Sequence, residues 1–332
     1  MIAYEKLQQE LRRSPRKWLV TGAAGFIGSH LVETLLQLNQ KAVGLDNFST
    51  GTPENLEDLQ SSLSIKQRRQ FRFIEGDITS ETDCKRACRG VDYVLHQAAL
   101  GSVPRSFADP LSTHLANTTG FLQILLAAQK AKVKRVVYAS SSSVYGDEKT
   151  LPKREGKTGT PLSTYAVSKV ADELYAEVFR KGYGQEIVGL RYFNNFGPRQ
   201  NPKGPYAAAI PLWIISLLTG KGTSINGDGK TSRDFCYVAN SVQANLLAAA
   251  TKNTTGSVYN ISVGKRTSLN ILHRQLRALT GNKTRPEYRP FREGDVKHSL
   301  ADISAAKRDL GFIPTHSLEE GLELTVGWYK QK

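Results

Sequence analysis

The stretch KWLVTGAAGFIG, residues 17 to 28, decides the fold of this chain. Its first four residues form a short apolar run typical of a strand, and over residues 26–38 the apolar positions recur at helical spacing. Between them stand Gly22, Gly25 and Gly28, which permit a tight turn and let the backbone approach a pyrophosphate at a helix N-terminus. The spacing GxxGxxG differs from the commonest dinucleotide fingerprint, GxGxxG, so a second signal is needed.

That signal is a carboxylate at the end of the next predicted strand. Residues 42–46 read AVGLD and end in Asp46. An acidic side chain at this place accepts hydrogen bonds from the adenosine ribose and repels a 2′-phosphate, which predicts NAD rather than NADP as the cofactor. The alternative is that Asp46 only forms a turn before Asn47.

Predicted strands alternate with helices along the chain. After the first two they cover residues 71–74, 91–95, 135–139 and 187–192, with a long helix over 111–131 and a helical segment before residue 17. This alternation predicts an α/β fold, a Rossmann-type doubly wound parallel sheet with ligands at the carboxyl ends of its strands. From about Arg199 the regular alternation of strands and helices ends, and the turn-forming residues Pro, Gly and Asn become frequent. We therefore predict an NAD-binding domain over residues 1–197, with an N-terminal helical extension, and a smaller, partly interleaved C-terminal α/β substrate domain over residues 198–332.

Hydroxyl and amine side chains follow the fifth predicted strand. That strand runs into a serine run over residues 140–143, and the motif STYAVSK at residues 163–169 sets Tyr165 and Lys169 four residues apart in a predicted helix. Residues i and i+4 share a helix face, so the Lys169 ammonium favours the ionised phenol of Tyr165. We predict that Ser141, Tyr165 and Lys169 form a proton-transfer set that oxidises an alcohol, with NAD as hydride acceptor. Taken singly, the patterns are also typical of a serine-rich loop and of a half-buried Tyr beside a solvated Lys.

The composition is that of an ordinary globular protein, with 39% apolar and 23% charged residues among 332. The net charge of +15 comes from clusters without interleaved aromatics, which favours a solvated surface that attracts an anionic substrate over nucleic-acid binding. No apolar run is long enough to span a bilayer and no signal-peptide pattern is visible, so we predict a cytoplasmic protein without membrane contact. The three cysteines and six histidines lack metal-ligand spacing, so we expect buried thiols and neither disulfide nor metal.

Nine separated motifs make the chain similar to a known family. They are TGAAGFIGSHL, GLDNFSTG, EGDI, DYVLHQAALGSVPRS, the serine run with YGD, STYAVSK, GLRYFN, NGDGKTSRDFCYV and FREGDVKHSLADIS. Over nearly its whole length the sequence resembles the extended short-chain dehydrogenase/reductases, among them the nucleotide-sugar 4-epimerases, and especially the UDP-N-acetylglucosamine 4-epimerases of bacterial polysaccharide biosynthesis. The resemblance implies an NAD-dependent isomerase. It also implies a homodimer formed through the helix before the fifth strand and the Tyr165 helix.

The resemblance assigns residues to two ligands. For NAD it implies Gly22, Gly25, Phe26, Ile27, Gly28, Asp46, Asn47, Asp77, Ile78, Ala98, Asn117, Tyr165 and Lys169. For the UDP-sugar it implies Ser141, Ser142, Ser143, Tyr165, Asn194, Arg233, Arg292, Asp295 and Ser299. Arginines suit a diphosphate because guanidinium pairs bidentately with phosphate oxygens.

In such an epimerase Tyr165 takes the proton from the sugar O4 while C4 passes hydride to NAD, and the flat 4-keto sugar turns over before the hydride returns. The related 4,6-dehydratases have Asp and Glu where this chain has Ser142 and Ser143, so dehydration lacks its acid and base. Ser299 stands at a position that is small where an N-acetyl group is accepted. These residues favour epimerisation of an acetamido sugar.

We therefore predict interconversion of UDP-N-acetylglucosamine and UDP-N-acetylgalactosamine, with UDP-glucose and UDP-galactose as further substrates. The alternatives are a 4-epimerase of UDP-hexuronate or UDP-N-acetylhexosaminuronate, a non-catalytic NAD-binding protein, and a plain alcohol dehydrogenase, which would release NADH. Two departures from the family pattern bear on sugar preference: Thr164 stands where relatives often have Pro, and Asn195 where the residue is usually apolar.

Overall fold

Strands and helices alternate along the computed structural model, which describes residues 2–203, 207–252, 254, 256–291 and 296–332. The strands are β1 (Lys17–Thr21), β2 (Lys41–Asp46), β3 (Phe71–Glu75), β4 (Tyr93–His96), β5 (Arg135–Ser141), β6 (Ile187–Tyr192), β7 (Asn195–Phe196), β8 (Ser224–Asn226), β9 (Ser232–Asp234), β10 (Cys236–Tyr237), β11 (Val258–Ile261), β12 (Arg266–Ser268) and β13 (Glu287–Arg289).

The helices are α1 (Ala3–Arg13), α2 (Phe26–Gln37), α3 (Pro53–Ser61), α4 (Ile65–Arg68), α5 (Glu81–Cys88), α6 (Val103–Ala108), α7 (Pro110–His114), α8 (Gly120–Lys130), α9 (Thr164–Tyr183), α10 (Ala209–Leu218), α11 (Val238–Ala250), α12 (Leu269–Thr280), α13 (Ser304–Leu310) and α14 (Leu318–Lys330). A π-helical turn covers Leu115–Thr119, and a 3₁₀ segment covers Ser142–Tyr145.

Seven parallel strands form the central sheet, in the order β11, β6, β5, β4, β1, β2, β3. β1 lies between β2 and β4, so the strand order changes direction there. In a doubly wound sheet, ligands bind outside the carboxyl ends of the strands at this switch point. The register sets Thr21, the last residue of β1, beside Leu45 of β2 and His96 of β4. The glycine turn therefore opens into the crevice between β2 and β4.

The predicted fold class is confirmed, and β1 to β6 are the six strands expected from the sequence, with ends shifted by at most two residues. Two features differ from the prediction. β11, far along the chain, adds a seventh strand beside β6, and such a long-range pairing leaves no local pattern in the sequence. The helix expected over 111–131 is broken into α7, a π-helical turn and α8, a kind of interruption often found at functional sites.

Helices cover both faces of the sheet because successive strand side chains point to opposite sides. Trp18 and Val20 of β1 join one buried cluster with α2 and α11, and Leu19 joins another with α5 and α8. The short α1 packs on the first cluster through Leu7 and Leu11. Fully burying a large aliphatic or aromatic side chain is worth about 1.5–3 kcal/mol, so these two layers hold the strand ends rigidly.

The C-terminal part of the chain adds short strand pairs and a third buried cluster. β10 pairs with β7, β12 with β9 and β13 with β8. α10, α12 and α14 pack around Trp213, Leu272 and Leu322. Because β11 belongs to the central sheet, this part is interwoven with the sheet; the domain boundary after residue 197 stays a prediction.

All three thiols are buried, as expected: Cys84 and Cys88 lie in α5 and Cys236 in β10. Burial raises the pKa of each thiol to about 12, so they remain protonated and unreactive. In the described ranges, no helix has the length and apolarity needed to cross a membrane. The same ranges contain no group of three His, Cys, Asp or Glu side chains that could hold a metal ion.

Candidate active site

The turn after β1 accepts no side chain at two of its glycines. Gly22 has a φ of +69°, and a Cβ there would lie 2.8 Å from the backbone nitrogen of Ala98. A Cβ on Gly28 would lie 1.9 Å from the carbonyl oxygen of Gly22. Gly25 forms the N-cap of α2, so the first turn of this helix lies directly against the end of β1. Free N–H groups at a helix N-terminus with no side chain in front of them suit the pyrophosphate of a dinucleotide.

Asp46 at the end of β2 braces this turn. Its carboxylate accepts the backbone N–H of Ala24 at 2.9 Å and that of Phe48 at 2.8 Å. The hydrogen bond to the backbone of Phe48, two residues further on, forms a turn. Turn formation was the alternative role that the sequence allowed for Asp46. Burial raises the pKa of Asp46 in spite of these bonds. The contact of Asp46 with the adenosine ribose stays a prediction.

Asn47 and Asp77 meet beside the end of β2. Asn47 Nδ2 donates to Asp77 Oδ2 at 2.8 Å, and the backbone N–H and hydroxyl of Thr79 each donate to Asp77 Oδ1 at 2.7 Å. Burial opposes ionisation of Asp77, but these hydrogen bonds outweigh it and lower its pKa. With Ile78 and Ala98 they line a cavity of about 280 Å³. From the topology of the sheet, we expect the adenosine half of the cofactor to bind in this pocket.

A second cavity, of about 390 Å³, lies at the switch point of the sheet. Of the predicted site residues it is lined by Gly22, Gly25, Phe26, Ile27, Gly28, Asp46, Ala98, Ser141, Tyr165, Lys169 and Asn194. The structure thus brings the predicted proton-transfer set and the glycine turn to one space. We call this space the central cavity.

The N-terminal end of α9 presents Tyr165 and Lys169 to the central cavity. Ser163 caps the helix by accepting a backbone N–H at 3.0 Å. The hydroxyl of Thr164 donates to the carbonyl of Ser106, which ties the start of α9 to α6. Thr164, one of the two departures from the family pattern, therefore supplies a bond that proline could not make.

Lys169 is buried, and its ammonium Nζ lies 3.0 Å from Oδ2 of Asp172, which is also buried. Burial disfavours the charged amine, but Asp172 and Tyr165 outweigh it and raise the pKa of Lys169. Burial also raises the pKa of Asp172, to about 6. Sequence reasoning expected Lys169 to act on Tyr165 and missed Asp172, although a carboxylate at i+3 is a visible signal.

The serine run is strand as far as Ser141 and turns into the 3₁₀ segment at Ser142. The hydroxyl of Ser141 accepts the backbone N–H of Ser143 at 3.1 Å and donates to its hydroxyl at 3.2 Å. Because these bonds fix the rotation of the side chain, Ser141 stands in a defined position at the wall of the central cavity.

A buried polar network stabilises the carboxyl end of β5. Glu173 of α9 accepts the hydroxyl of Ser140 at 2.5 Å and pairs bidentately with Arg191 of β6 at 2.9 and 2.7 Å. Arg191 also donates to the hydroxyl of Tyr145 at 3.1 Å, which donates to Asn260 of β11 at 2.6 Å. These residues link α9, β5, β6 and β11. Ser140, Tyr145 and Arg191 stand in motifs that the sequence showed, but sequence reasoning assigned none of the network residues a role of its own.

Asn117 lies in the π-helical turn, buried behind the wall of the 280 Å³ cavity that Asn47 and Asp77 line. Its side-chain oxygen accepts the backbone N–H of Leu100 at 2.7 Å, and its Nδ2 donates to the hydroxyl of Ser168 at 3.0 Å. Asn117 therefore joins the loop after β4 to α9 next to Lys169. A direct contact of Asn117 with the cofactor stays a prediction.

A third cavity, of about 550 Å³, adjoins the central cavity and is lined by Asn194 and Arg233. We call it the Arg233 cavity. Asn194 donates to the carbonyl of Asp234 at 3.1 Å, and Arg233 donates to the carbonyl of Lys297 at 3.3 Å. Arg289 of β13 also lines this cavity, a residue that sequence reasoning missed because β13 reaches the cavity through a long-range pairing with β8.

Ser299 is a further predicted substrate residue that the structure describes. The backbone N–H of Ser299 donates to the carbonyl of Ser232 at 3.0 Å, which sets Ser299 beside β9 and next to Arg233. Arg292 and Asp295 lie outside the described residues.

The chain matches the model of the NAD dependent epimerase/dehydratase family over residues 18–262. A solved UDP-N-acetylglucosamine 4-epimerase from Methanobrevibacter ruminantium, in complex with UDP-N-acetylmuramic acid, is 38% identical with a TM-score of 0.89, covering 96% of this chain and 99% of that one. A solved UDP-glucuronic acid 4-epimerase from Bacillus cereus, in complex with UDP-glucuronic acid and NAD, is 36% identical with a TM-score of 0.86, covering 95% and 99%. The UDP-glucose 4-epimerase of Mycolicibacterium smegmatis is 36% identical, covering 95% of this chain and 98% of that protein. The family model matches the chain, and the glycine turn and the central cavity agree with it. The chain therefore belongs to the NAD-dependent epimerase/dehydratase family, and its cofactor is NAD.

Proposed function

We propose that this chain is a UDP-sugar 4-epimerase that interconverts UDP-N-acetylglucosamine and UDP-N-acetylgalactosamine. The observation that carries the proposal is that Ser141, Tyr165 and Lys169 share the central cavity with the glycine turn. Asn194 and Asn195 line both the central cavity and the Arg233 cavity, so the two spaces are continuous along one wall. A nucleotide anchored in one cavity would present its sugar to the other.

Each of the three side chains Ser141, Tyr165 and Lys169 has its own role in the proposed reaction. Bound NAD supplies a reversible hydride acceptor for the sugar C4. Tyr165 takes the proton from the sugar O4 and later returns it. The hydroxyl of Ser141, which donates to Ser143 in this structure, would rotate to donate to that oxygen. Lys169 supplies positive charge beside the phenol. Because the nucleotide is the anchored part, the flat 4-keto sugar can turn over and accept hydride on its other face.

Two observations favour epimerisation over other reactions on this fold. The 3₁₀ segment that follows Ser141 carries Ser142 and Ser143, so it offers no carboxylic acid or carboxylate for removing water. Tyr165 and Lys169 are both present and face one cavity, which argues against a non-catalytic NAD-binding protein.

The charges around the central cavity favour a neutral sugar over a uronate. Among its described lining residues Lys169 is the one basic side chain, and its ammonium is already paired with the carboxylate of Asp172. A carboxylate at C6 of the sugar would meet no second basic side chain among these described lining residues, which is unfavourable for a desolvated charge. By the family resemblance, Ser299 stands at a position that is small where an N-acetyl group is accepted, and this supports an acetamido group at C2.

The substrate is tested by incubating the purified protein with UDP-N-acetylglucosamine, UDP-glucose, UDP-glucuronate and UDP-N-acetylglucosaminuronate, each in a separate reaction, and identifying the products by NMR. We expect the acetamido sugar to be converted to its galacto epimer with the highest kcat/KM. Conversion of the uronates alone would support the alternative, and absence of turnover with UDP-N-acetylglucosamine would refute the proposal. Accumulation of free NADH would indicate a dehydrogenase.

Replacing Tyr165 by Phe in the same assay should lower kcat by roughly 10²–10⁴-fold, because the base that moves the O4 proton is lost. NAD should remain bound to this variant, as measured by cofactor release on denaturation. Tyr183→Phe is the matched control, since it removes an exposed phenol from the other end of α9. Full activity in Tyr165→Phe would contradict the assigned base.

We also propose that the enzyme is a homodimer. α7, the π-helical turn and α9 expose large apolar side chains to solvent on neighbouring faces. These are Leu111, Leu115, Val167, Leu174 and Val178, which we call the helix-pair surface. Two copies of this surface would bury one another as a four-helix bundle.

A further inference from the structure

A buried ion pair lies beneath the central cavity, on the helix that carries Tyr165. The Lys169 and Asp172 side chains are only 2% and 1% exposed, with Nζ and Oδ2 3.0 Å apart. Oδ1 of Asp172 meets no hydrogen-bond partner among the described residues. Removing two charges from water is costly, and a pair with one unsatisfied oxygen is a poor means of stabilising a fold. An apolar pair of the same size would pack without this cost, which suggests that the charges serve another purpose.

The geometry of the pair leaves the amine available to the cavity. An ammonium has three N–H donors, and Asp172 occupies one of them. Lys169 also lines the central cavity, while Asp172 lies one turn further along α9, away from the described lining. Asp172 therefore touches Lys169 and no part of the space where a substrate or cofactor would lie.

Other titratable groups surround the pair. Tyr165 and Glu173 face it from α9, His96 from β4 and Tyr138 from β5. Burial, with the Lys169 charge, lowers the pKa of His96 to about 3, and burial, with neighbouring carboxylates, raises the pKa of Tyr138, so both are neutral at pH 7. Glu173 is neutralised by its bidentate bond with Arg191. Asp172 is thus the counter-ion that sets the state of the Lys169 ammonium.

We propose that Asp172 is a positioning residue that acts through Lys169, holding its ammonium ionised and directed toward the central cavity so that Tyr165 can exchange its proton. The proposal rests on the proposed function, since it assigns Asp172 to the same proton transfer. The opposing possibility is that the pair only contributes to folding.

The test is the pH dependence of kcat in Asp172→Asn, which keeps the shape of the side chain and removes its charge. Without the anion the buried amine loses its proton at a lower pH. We expect the alkaline limb of the profile to move down by about one pH unit or more, kcat near neutrality to fall about tenfold, and KM for the UDP-sugar to stay within about twofold. Asp172→Glu, which restores the charge, should return the limb to its native position. Glu177→Gln, a charge removal further along α9, is the matched control and should keep the native profile.

A second measurement is independent of activity. Asp172→Asn leaves an unpaired buried ammonium and should lower Tm by roughly 5 °C or more, while Asp172→Asn with Lys169→Met should recover most of this loss. A native pH profile in Asp172→Asn would overturn the positioning role, and so would a double variant no more stable than the single one. If the native protein epimerises no UDP-sugar, the proposed function fails by itself, and the Tm series still decides whether Asp172 is the counter-ion of Lys169.

Discussion

At the scale of single residues, His96 connects the site to the stability of the fold. It ends β4, and its Nδ1 lies 2.8 Å from the hydroxyl of Thr21. In the part of the chain that the structure describes, Nε2 meets no hydrogen-bond partner. Burial and the nearby Lys169 ammonium lower the pKa of His96 to about 3. The ring is therefore neutral in the folded protein under conditions where it would titrate normally in the unfolded chain.

His96→Leu should make stability less sensitive to acid. The folded-state pKa lies below the unfolded value, so the unfolded chain binds the extra proton as pH falls from about 6.5 toward 3, and stability falls with it. For this one group the loss between pH 7 and pH 5 is about 2 kcal/mol. Urea unfolding at both pH values should show that the variant loses about that much less than the native chain. Equal losses in the two proteins would contradict a neutral, buried His96.

At the scale of elements, the strand, turn and helix over residues 17–37 depend on the absence of a side chain at Gly28. The carbonyl of Gly22 occupies the place of a Cβ there, and it is backbone that cannot rotate away. A methyl group at this position must push α2 away from β1. The N-terminus of α2 would then no longer lie where the pyrophosphate needs it.

We expect Gly28→Ala to lower stability by about 1–3 kcal/mol and to reduce the NAD retained on purification. Gly327→Ala is the matched control, because Gly327 lies in α14 and a Cβ there meets nothing within 4 Å. The control should gain up to about 1 kcal/mol from helix propensity and keep its NAD. The measurements are thermal unfolding and cofactor content by absorbance after denaturation. A native NAD content in Gly28→Ala would show that the turn tolerates the displacement.

At the scale of the whole molecule, the helix-pair surface is the feature that a single chain leaves unexplained. Leu174 and Val178 of α9 are 64% and 59% exposed, and Leu111 of α7 is 67% exposed. Soluble monomers rarely expose contiguous apolar patches of this kind. Because α9 also carries Tyr165, association through it would stiffen the helix that holds the base.

Leu174→Glu should convert the proposed dimer to a monomer, since two carboxylates would meet across the bundle. Light scattering after size exclusion should show the native mass at twice that of one chain and the variant at the mass of one. Leu324→Glu on α14 is the control, as Leu324 is similarly exposed, at 50%, outside the helix-pair surface. A native protein that runs as a monomer at micromolar concentration would refute the proposed homodimer.

The sequence by itself determined the first six strands and the fold class, because both depend on local periodicity and on glycines that few other residues could replace. It also indicated Asp46, the serine run and the pair of Tyr165 and Lys169, since all follow strand ends or share a helix face. Only the tertiary structure decided which distant groups meet. The counter-ion Asp172, the Glu173 and Arg191 pair behind Ser140, and β11 beside β6 follow from burial and long-range pairing. For the glycine turn over residues 22–28, both sources are needed. Its glycines are visible in the sequence, but only the packing of strand against helix shows that the carbonyl of Gly22 occupies the place of a side chain at Gly28.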